Sequence, residues 1–310
     1  MMDKASKILV FGAKGLIGAA LARRLRQGSF KNLILADSDT LELDNRKKVY
    51  DFFAKTRPDY CIIAPIKEGG IVANIRYPAE LIYQNLSAQT NIIDSAWRVN
   101  VAKLIYLASS CVYPKDCRQP IKEEYLMSGP LELTNAPYAA AKISGIEMCK
   151  AYNLQYNTRF ISVVPATAYG PGDNFDLNTS HVIPALLAKF HAAKINNTPY
   201  VTIWGSGKPK REFIYADDLA DAVLFLMRQG RLTEVVNIGT GVDVSISRLA
   251  QLIKRTVGFM GKIKFDNEKP DGVARKLLDS GLLFSLGWRP RVSLAQGLLK
   301  AYGLYKKSIC

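Results

Sequence analysis

The chain has 310 residues, 48% apolar and 22% charged, which is ordinary globular composition with ample length for a core. No apolar run reaches the ~18 residues of a membrane span. Five scattered cysteines (61, 111, 117, 149 and 310) with no C-x-x-C pair argue against a disulfide framework or zinc site, and two histidines, His181 and His191, are too few for a histidine metal cage.

The first segment, MMDKASKILVFGAKG, runs from a short apolar stretch straight into a glycine loop. It lacks the long apolar core of a signal peptide, so a reducing cytoplasm is the expected compartment. KILVF (7–11) reads as a strand and LIGAALARRLRQ (16–27) as a helix. NLILA (32–36) is a second strand, and RKKVYDFFAKT (46–56) has helical spacing with Asn45 as its cap. DYCIIA (59–64) is a third strand, followed by a long helix over about 79–98. KLIYLAS (103–109) and RFISVVP (159–165) are the fourth and fifth strands. Strands alternating with helices imply parallel pairing and right-handed crossovers, and continuous apolar strands fit a sheet covered on both faces. The expected fold is α/β, a doubly wound parallel sheet of the Rossmann kind. After about Gly170, Pro, Gly and Asn punctuate GPGDNFDLNTS and GSGKPKREF. A dinucleotide-binding domain over 1–170 and a smaller C-terminal substrate-binding lobe over 171–310 are expected, with segments near 211–241 returning to the first.

Gly12, Gly15 and Gly18 lie between the first strand and the first helix, spaced G-x-x-G-x-x-G. A tight turn needs residues that tolerate unusual backbone angles, and the helix start offers unpaired N–H groups to a pyrophosphate. Asp37 ends the second strand, where an acid hydrogen-bonds the adenosine ribose and favours NAD(H). Lys14, inside the loop, suits a 2′-phosphate and pulls towards NADP(H). The residues alone leave the two forms open.

Tyr138 and Lys142 form Y-A-A-A-K, sharing one helix face at i and i+4. An ammonium beside a phenol favours the phenolate, so Lys142 is expected to lower the Tyr138 pKa and ready it for proton transfer to an alkoxide. Ser109 ends the fourth strand, where doubly wound sheets place ligands. Cys111 follows two residues on. It is either a small buried hydrophobe or a thiol acid/base at the mouth of the site. His181 is either a structural residue at a helix start or a proton-transfer group. The net charge of +15 fits a basic surface or attraction to nucleotides. No basic stripe is interleaved with aromatics, so neither nucleic acid nor membrane is an expected partner.

The stretches SSCVYPKDCRQPIKEEYLMSGPLELTNAPYAAAK, YGPGDNFDLNTSHVIPALL, WGSGKPKREFIYADDLA, NIGTGVD and KPDGVARKLLD carry a specific likeness. With the glycine loop they cover nearly the whole chain. It resembles the GDP-L-fucose synthase family, epimerase–reductases among the extended short-chain dehydrogenases. The resemblance implies 3,5-epimerisation and 4-reduction of a GDP-linked keto-deoxy sugar, GDP-4-keto-6-deoxymannose giving GDP-L-fucose. It implies NADP(H) as cofactor, with NAD(H) admitted by Asp37. The cofactor would lie against Gly12, Lys14, Gly15, Leu16, Ile17, Gly18, Asp37, Ser109, Tyr138, Lys142, Pro165 and His181. Tyr138 would be the proton donor with Lys142 and Ser109 supporting it, and Cys111 and His181 the epimerising acid/base pair. Lys189, Trp204, Arg211 and Asp271 would bind the GDP-sugar. The family also implies a homodimer through two long helices per subunit, for which 79–98 and 136–153 are candidates.

Three departures stand out. Lys189 replaces a common arginine. Ala166-Thr167-Ala168 replaces a Thr-Asn-Leu stretch beside the nicotinamide. The basic residue expected after the second strand is missing. A reductase of a related GDP-4-keto dideoxy or heptose sugar, with or without epimerisation, fits the same residues, and a non-catalytic nucleotide sensor is the remaining reading.

Overall fold

The computed structural model describes residues 2–309 except Asn178, Arg231, Thr233, Glu234 and Pro270; the side chains of Ile71 and Val72, and Cys310, also lie outside the described residues. In chain order the elements are β1 (Ile8–Phe11), α1 (Leu16–Gln27), β2 (Leu33–Ala36), α2 (Arg46–Thr56), β3 (Tyr60–Ile63), α3 (Ile71–Arg76), α4 (Pro78–Arg98), β4 (Lys103–Leu107), α5 (Ala136–Tyr156), β5 (Phe160–Pro165) and β6 (Thr167–Tyr169). There follow α6 (Val182–Ile195), β7 (Tyr200–Trp204), β8 (Lys210–Tyr215), α7 (Ala216–Arg228), β9 (Val235–Ile238), β10 (Asp243–Ser245), α8 (Ile246–Val257), β11 (Lys262–Asp266), β12 (Arg275–Lys276), α9 (Gly281–Ser285) and α10 (Leu294–Ile309). No helix among the described residues is long and apolar enough to cross a membrane.

The central sheet has the order β2-β1-β3-β4-β5-β9 and is parallel throughout. Its middle strands are buried along nearly their whole length, as continuous apolar runs require when helices cover both faces. Strand order reverses between β1 and β3, so their carboxyl ends open a crevice of the kind in which such sheets bind ligands. The expected Asn45 cap is present, its side chain accepting the Lys48 N–H at 3.1 Å.

Helix α5 lies unusually close to β4 because Gly145 has no Cβ; a methyl there would stand 2.4 Å from the Tyr106 ring. The Tyr106 hydroxyl donates to Gln89 Oε1 at 2.7 Å, and Gln89 Nε2 donates to the Ala141 carbonyl at 2.6 Å. Strand β4 and helices α4 and α5 are thereby tied together, which fixes the face of α5 that carries Tyr138 and Lys142.

A smaller sheet, β10-β8-β12 with β6 beside β8, and the β7–β11 pair build a second layer. Its separate core contains Tyr169, Leu187, Phe190, Leu249, Ile253 and Leu298. Within 211–241, α7 and β9 join the larger unit, whereas β8 stays in the small sheet. Arg23–Asp217 and Arg24–Asp221 ion pairs link α1 to α7, each at 2.5 Å.

Glu212 on β8 closes the junction and is only 2% exposed. One carboxylate oxygen accepts the Thr240 and Gly241 N–H groups, both at 2.7 Å, and the other accepts the Leu278 N–H at 3.0 Å. Glu212→Ala strands three backbone donors, and a loss of roughly 3 kcal/mol in urea unfolding is expected. An unchanged midpoint would contradict this role.

Candidate active site

The turn after β1 has the shape a dinucleotide requires. Gly12 sits at φ +69°, and a methyl on it would meet the Pro65 carbonyl oxygen at 2.6 Å. A methyl at Gly18 would stand 2.0 Å from the Gly12 oxygen. Helix α1 starts after Gly15 with no side-chain cap and no acid in its first turn. The first-turn N–H groups, including those of Leu16, Ile17 and Gly18, therefore face outward with the positive end of the helix dipole, as an anion site needs. Asp37 Oδ1 accepts the Lys14 N–H at 3.1 Å, and the Lys14 ammonium is ion-paired with Asp39.

One cleft beside this turn is lined by Leu16, Ile17, Pro65, Glu68, Ser109, Cys111, Asn135, Tyr138, Pro165, Thr167, His181 and Lys276. Ser109, Cys111, Tyr138 and His181, far apart in sequence, thus share one space. Lys142 lies beneath it, 2% exposed, donating to the Leu107 carbonyl at 3.3 Å. Its ammonium sits between two rings, 5.2 Å from the centre of Tyr106 and 5.7 Å from that of Tyr138. Ser109 Oγ accepts the Cys111 N–H at 3.4 Å, fixing the serine–cysteine turn. His181 caps α6 by backbone position only, leaving its ring without a cap bond. Asn135 Oδ1 is buried on the cleft with no hydrogen-bond partner among the described residues, an orphaned acceptor that a ligand hydroxyl would satisfy.

The electrostatics correct one expectation. Lys142 was expected to pull the Tyr138 phenol down. Burial instead holds that phenol well above the ordinary tyrosine range, with Glu68 and Cys111 adding to the effect. The same burial lowers Lys142 to about 8. Its ammonium turns to a carbonyl rather than to the phenol, so desolvation outweighs the pair's mutual attraction. Burial also raises the Cys111 thiol, opposed first by the charge of Lys276 and then by Ser109. Asp173, near His181, is raised by burial to about 6.

Lys189, Trp204, Arg211 and Asp271 lie outside this cleft, on the small-sheet side. The Lys189 ammonium lies 5.5 Å from the Trp204 ring centre, and Trp204 is 61% exposed. Arg211 donates to the Val273 carbonyl at 2.6 Å, and Asp271 accepts the Ser206 N–H at 2.9 Å. Lys276, which the sequence reading did not single out, connects the two regions. It pairs in register with Arg211 on β8 while lining the cleft beside Cys111. Glu68 and Asn135 were missed as well, whereas Thr167 belongs to the stretch expected beside the nicotinamide. Only the folded crevice places them there, although the KPDGVARKLLD stretch did contain Lys276. Among the described residues, no group of three or more His, Cys, Asp or Glu could hold a metal ion.

Residues 8–239 match the model of the NAD dependent epimerase/dehydratase family. The chain is 50% identical to a putative GDP-L-fucose synthase 2 of Arabidopsis thaliana, covering 100% of this chain and 94% of that one. It is 46% identical to the GDP-L-fucose synthase of Escherichia coli (strain K12), covering 96% and 95%. A solved GDP-mannoheptose C4 reductase of Campylobacter jejuni with NADP bound superposes with a TM-score of 0.90 at 36% identity, covering 99% and 100%. The chain belongs to the NAD dependent epimerase/dehydratase family and, within it, to the GDP-L-fucose synthase family.

Removing the Lys276 charge by Lys276→Met is expected to push the Cys111 thiol further up and slow its alkylation at pH 8 by roughly tenfold. Peptide mapping after iodoacetamide treatment separates Cys111 from Cys117. An equal rate at Cys111 in both proteins would show that the lysine does not act on the thiol.

Proposed function

We propose that the chain is an NAD(P)H-dependent 3,5-epimerase and 4-reductase of a GDP-linked 4-keto-6-deoxy sugar, turning GDP-4-keto-6-deoxymannose into GDP-L-fucose. One observation carries the reading: Ser109, Cys111, Tyr138 and His181 converge on a single cleft between the glycine turn and the cationic Lys276–Arg211 strand pair. The cradle at α1 and Asp37 would hold the dinucleotide, NADP(H) or NAD(H). When bound, it supplies hydride to carbon 4.

The chain's own groups do the rest. A C–H beside a ketone is acidic because the enolate carries its charge on oxygen, and the Ser109 and Tyr138 hydroxyls stabilise that oxygen. Cys111 and His181 form the acid/base pair, one taking the carbon-bound proton and the other returning a proton on the opposite face. A buried thiol holds its proton at neutral pH and so can donate it, while Lys276 eases formation of the thiolate when it accepts. Burial keeps Tyr138 a neutral phenol, the form that protonates the alkoxide oxygen at carbon 4. Lys189, Trp204, Arg211 and Asp271 would take the GDP portion, Arg211 through charge-assisted bonds to phosphate and Trp204 through its exposed ring.

The second reading is reduction of a related GDP-4-keto sugar, which the lysine at 189 and the likeness to the Campylobacter reductase favour. Proton exchange separates the two. In deuterated water without cofactor, the epimerase exchanges protons at carbons 3 and 5. Cys111→Ser and His181→Asn should each slow that uptake by about 10²-fold or more. Tyr138→Phe should keep exchange but lower NAD(P)H oxidation by about 10²–10⁴-fold. Exchange unaffected by both Cys111→Ser and His181→Asn would remove the epimerase assignment.

The same proposal extends to a homodimer in the cytoplasm. Helices α4 and α5 lie side by side and expose Tyr83 and Leu154, 61% and 90% accessible, which suits a helical dimer face. The four described cysteines are free, as a reducing compartment favours. Light scattering should give twice the chain's mass; a monomer at working concentration overturns the dimer.

A further inference from the structure

We propose that Glu68 is a positioning residue for the reduction step: from the rim of the cleft its carboxylate keeps Lys142 an ammonium and Tyr138 a neutral phenol until hydride arrives. The inference deepens the functional reading above and rests on it.

Glu68 is the only carboxylate, and Lys276 the only ammonium, among the described residues that line the cleft. The Glu68 carboxylate makes no hydrogen bond or ion pair with another described residue. It does not hang on a loose loop. Asn85 Nδ2, from α4, donates to the Lys67 carbonyl at 2.9 Å, and Asn74 Nδ2, from α3, donates to the Gly69 carbonyl at 2.7 Å. Both asparagines are buried, so the backbone on either side of Glu68 is held by groups with no water to turn to. Gly69 lies so close to α3 that a methyl there would stand 2.6 Å from Ala73 Cβ. A methyl on Gly70 would touch the Thr179 and Ser180 carbonyl oxygens, both at 3.4 Å. The loop is thus set between α3 and the segment that leads into His181.

The carboxylate acts on the reducing pair. Burial raises the Tyr138 phenol, and Glu68 is the first of the groups that add to it, ahead of Cys111 and Tyr106. Burial lowers Lys142 to about 8, and Glu68 is the first charge to oppose that fall. The other groups facing Lys142 are the Tyr106 ring from β4, the Tyr138 ring from α5 itself and the Cys111 thiol. From α4 comes the uncharged Gln89, and β5 carries no titratable side chain. Lys276 acts elsewhere, as the first charge to oppose burial at Cys111. The two rim charges therefore divide the cleft. The cation favours a thiolate at Cys111, which must accept a proton as well as give one. The anion favours the protonated forms of Tyr138 and Lys142, which complete the reduction. Environments that push neighbouring groups apart in this way assign acid and base roles within one site. The ammonium matters most at the moment of transfer. Once Tyr138 has given its proton it is a phenolate in a dry site, and an adjacent cation offsets that cost.

The pH dependence of hydride transfer tests this. The full chain is first equilibrated with GDP-4-keto-6-deoxymannose and then mixed with NADPH in a single turnover, so that epimerisation is over before the step is read. Glu68→Gln should move the alkaline limb of the rate to lower pH by about half a unit, a modest shift because the carboxylate is exposed at the rim and partly screened. Glu68 acts in the same direction on Lys142 and Tyr138, so the sign holds whichever of them sets the limb. Glu68→Asp, which keeps the charge, should return the limb towards its wild-type place. Iodoacetamide labelling of Cys111 in Glu68→Gln should stay within about twofold of wild type. A limb that stays or rises in Glu68→Gln, an aspartate variant that behaves as the glutamine one, or a Cys111 rate that drops by about tenfold overturns the proposal and leaves the sugar chemistry intact. Absence of NADPH oxidation by the wild-type chain at every pH, with the thermal unfolding transition retained, overturns the functional reading and this inference together.

Discussion

The arrangement of the site depends on a buried carboxylate with no cationic partner among the described residues. Glu212 reaches from β8 to the loop that leaves β9, at the edge of the central sheet, and to the segment following β12. Burial pushes its carboxyl up, and the backbone N–H groups of Leu278, Gly241 and Thr240 pull it back down. Such a group is stable only where all its donors stay in place, so it specifies one relation between the two layers. Gly239 follows from the same constraint, since a methyl there would meet Glu212 Oε1 at 2.4 Å. Arg211, the preceding residue on β8, points away from the clamp. Lys276, its register partner, enters the cleft beside Cys111. The clamp therefore sets how far the cationic strand pair stands from the thiol.

The second organising effect is desolvation. Tyr138, Lys142 and Cys111 are 7%, 2% and 5% exposed. Burial disfavours the charged form of each, so the phenol and thiol are pushed up and the ammonium down. The phenol and thiol accordingly rest neutral and protonated, suited to groups that give protons first, while Lys142 is brought closer to losing its charge. Glu68 and Lys276 are the nearby charges that adjust this state, and both lie on the rim of the same cleft.

Much of this was legible in the sequence. The apolar runs, the glycine turn and the alternation of elements follow from local pattern, and β1 to β5, α1, α2, α4 and α5 stand close to where that pattern puts them, whereas the short α3 was not read from it. Serine, tyrosine and lysine could be grouped because strand ends and helix faces have fixed geometry. Two things were not readable. The Tyr138 environment was misjudged because spacing shows that a lysine is near but not that both groups are dry. Lys276, Glu68 and Asn135 were missed because they arrive from separate short segments, Lys276 from the two-residue β12, with no periodicity to connect them. Asp39 illustrates the same limit. Its exposed pairing with Lys14 turns on the path of one short turn, and no spacing rule contains it.

The central claim is that one cleft both inverts carbons and completes a reduction. The most direct measurement is product analysis after a full turnover in deuterated water, using GDP-4-keto-6-deoxymannose and unlabelled reduced cofactor. The account predicts GDP-L-fucose carrying solvent deuterium at carbons 3 and 5, with protium from the cofactor at carbon 4. A reduced product of unchanged configuration, without deuterium on either neighbouring carbon, would contradict it and leave a simple carbonyl reductase.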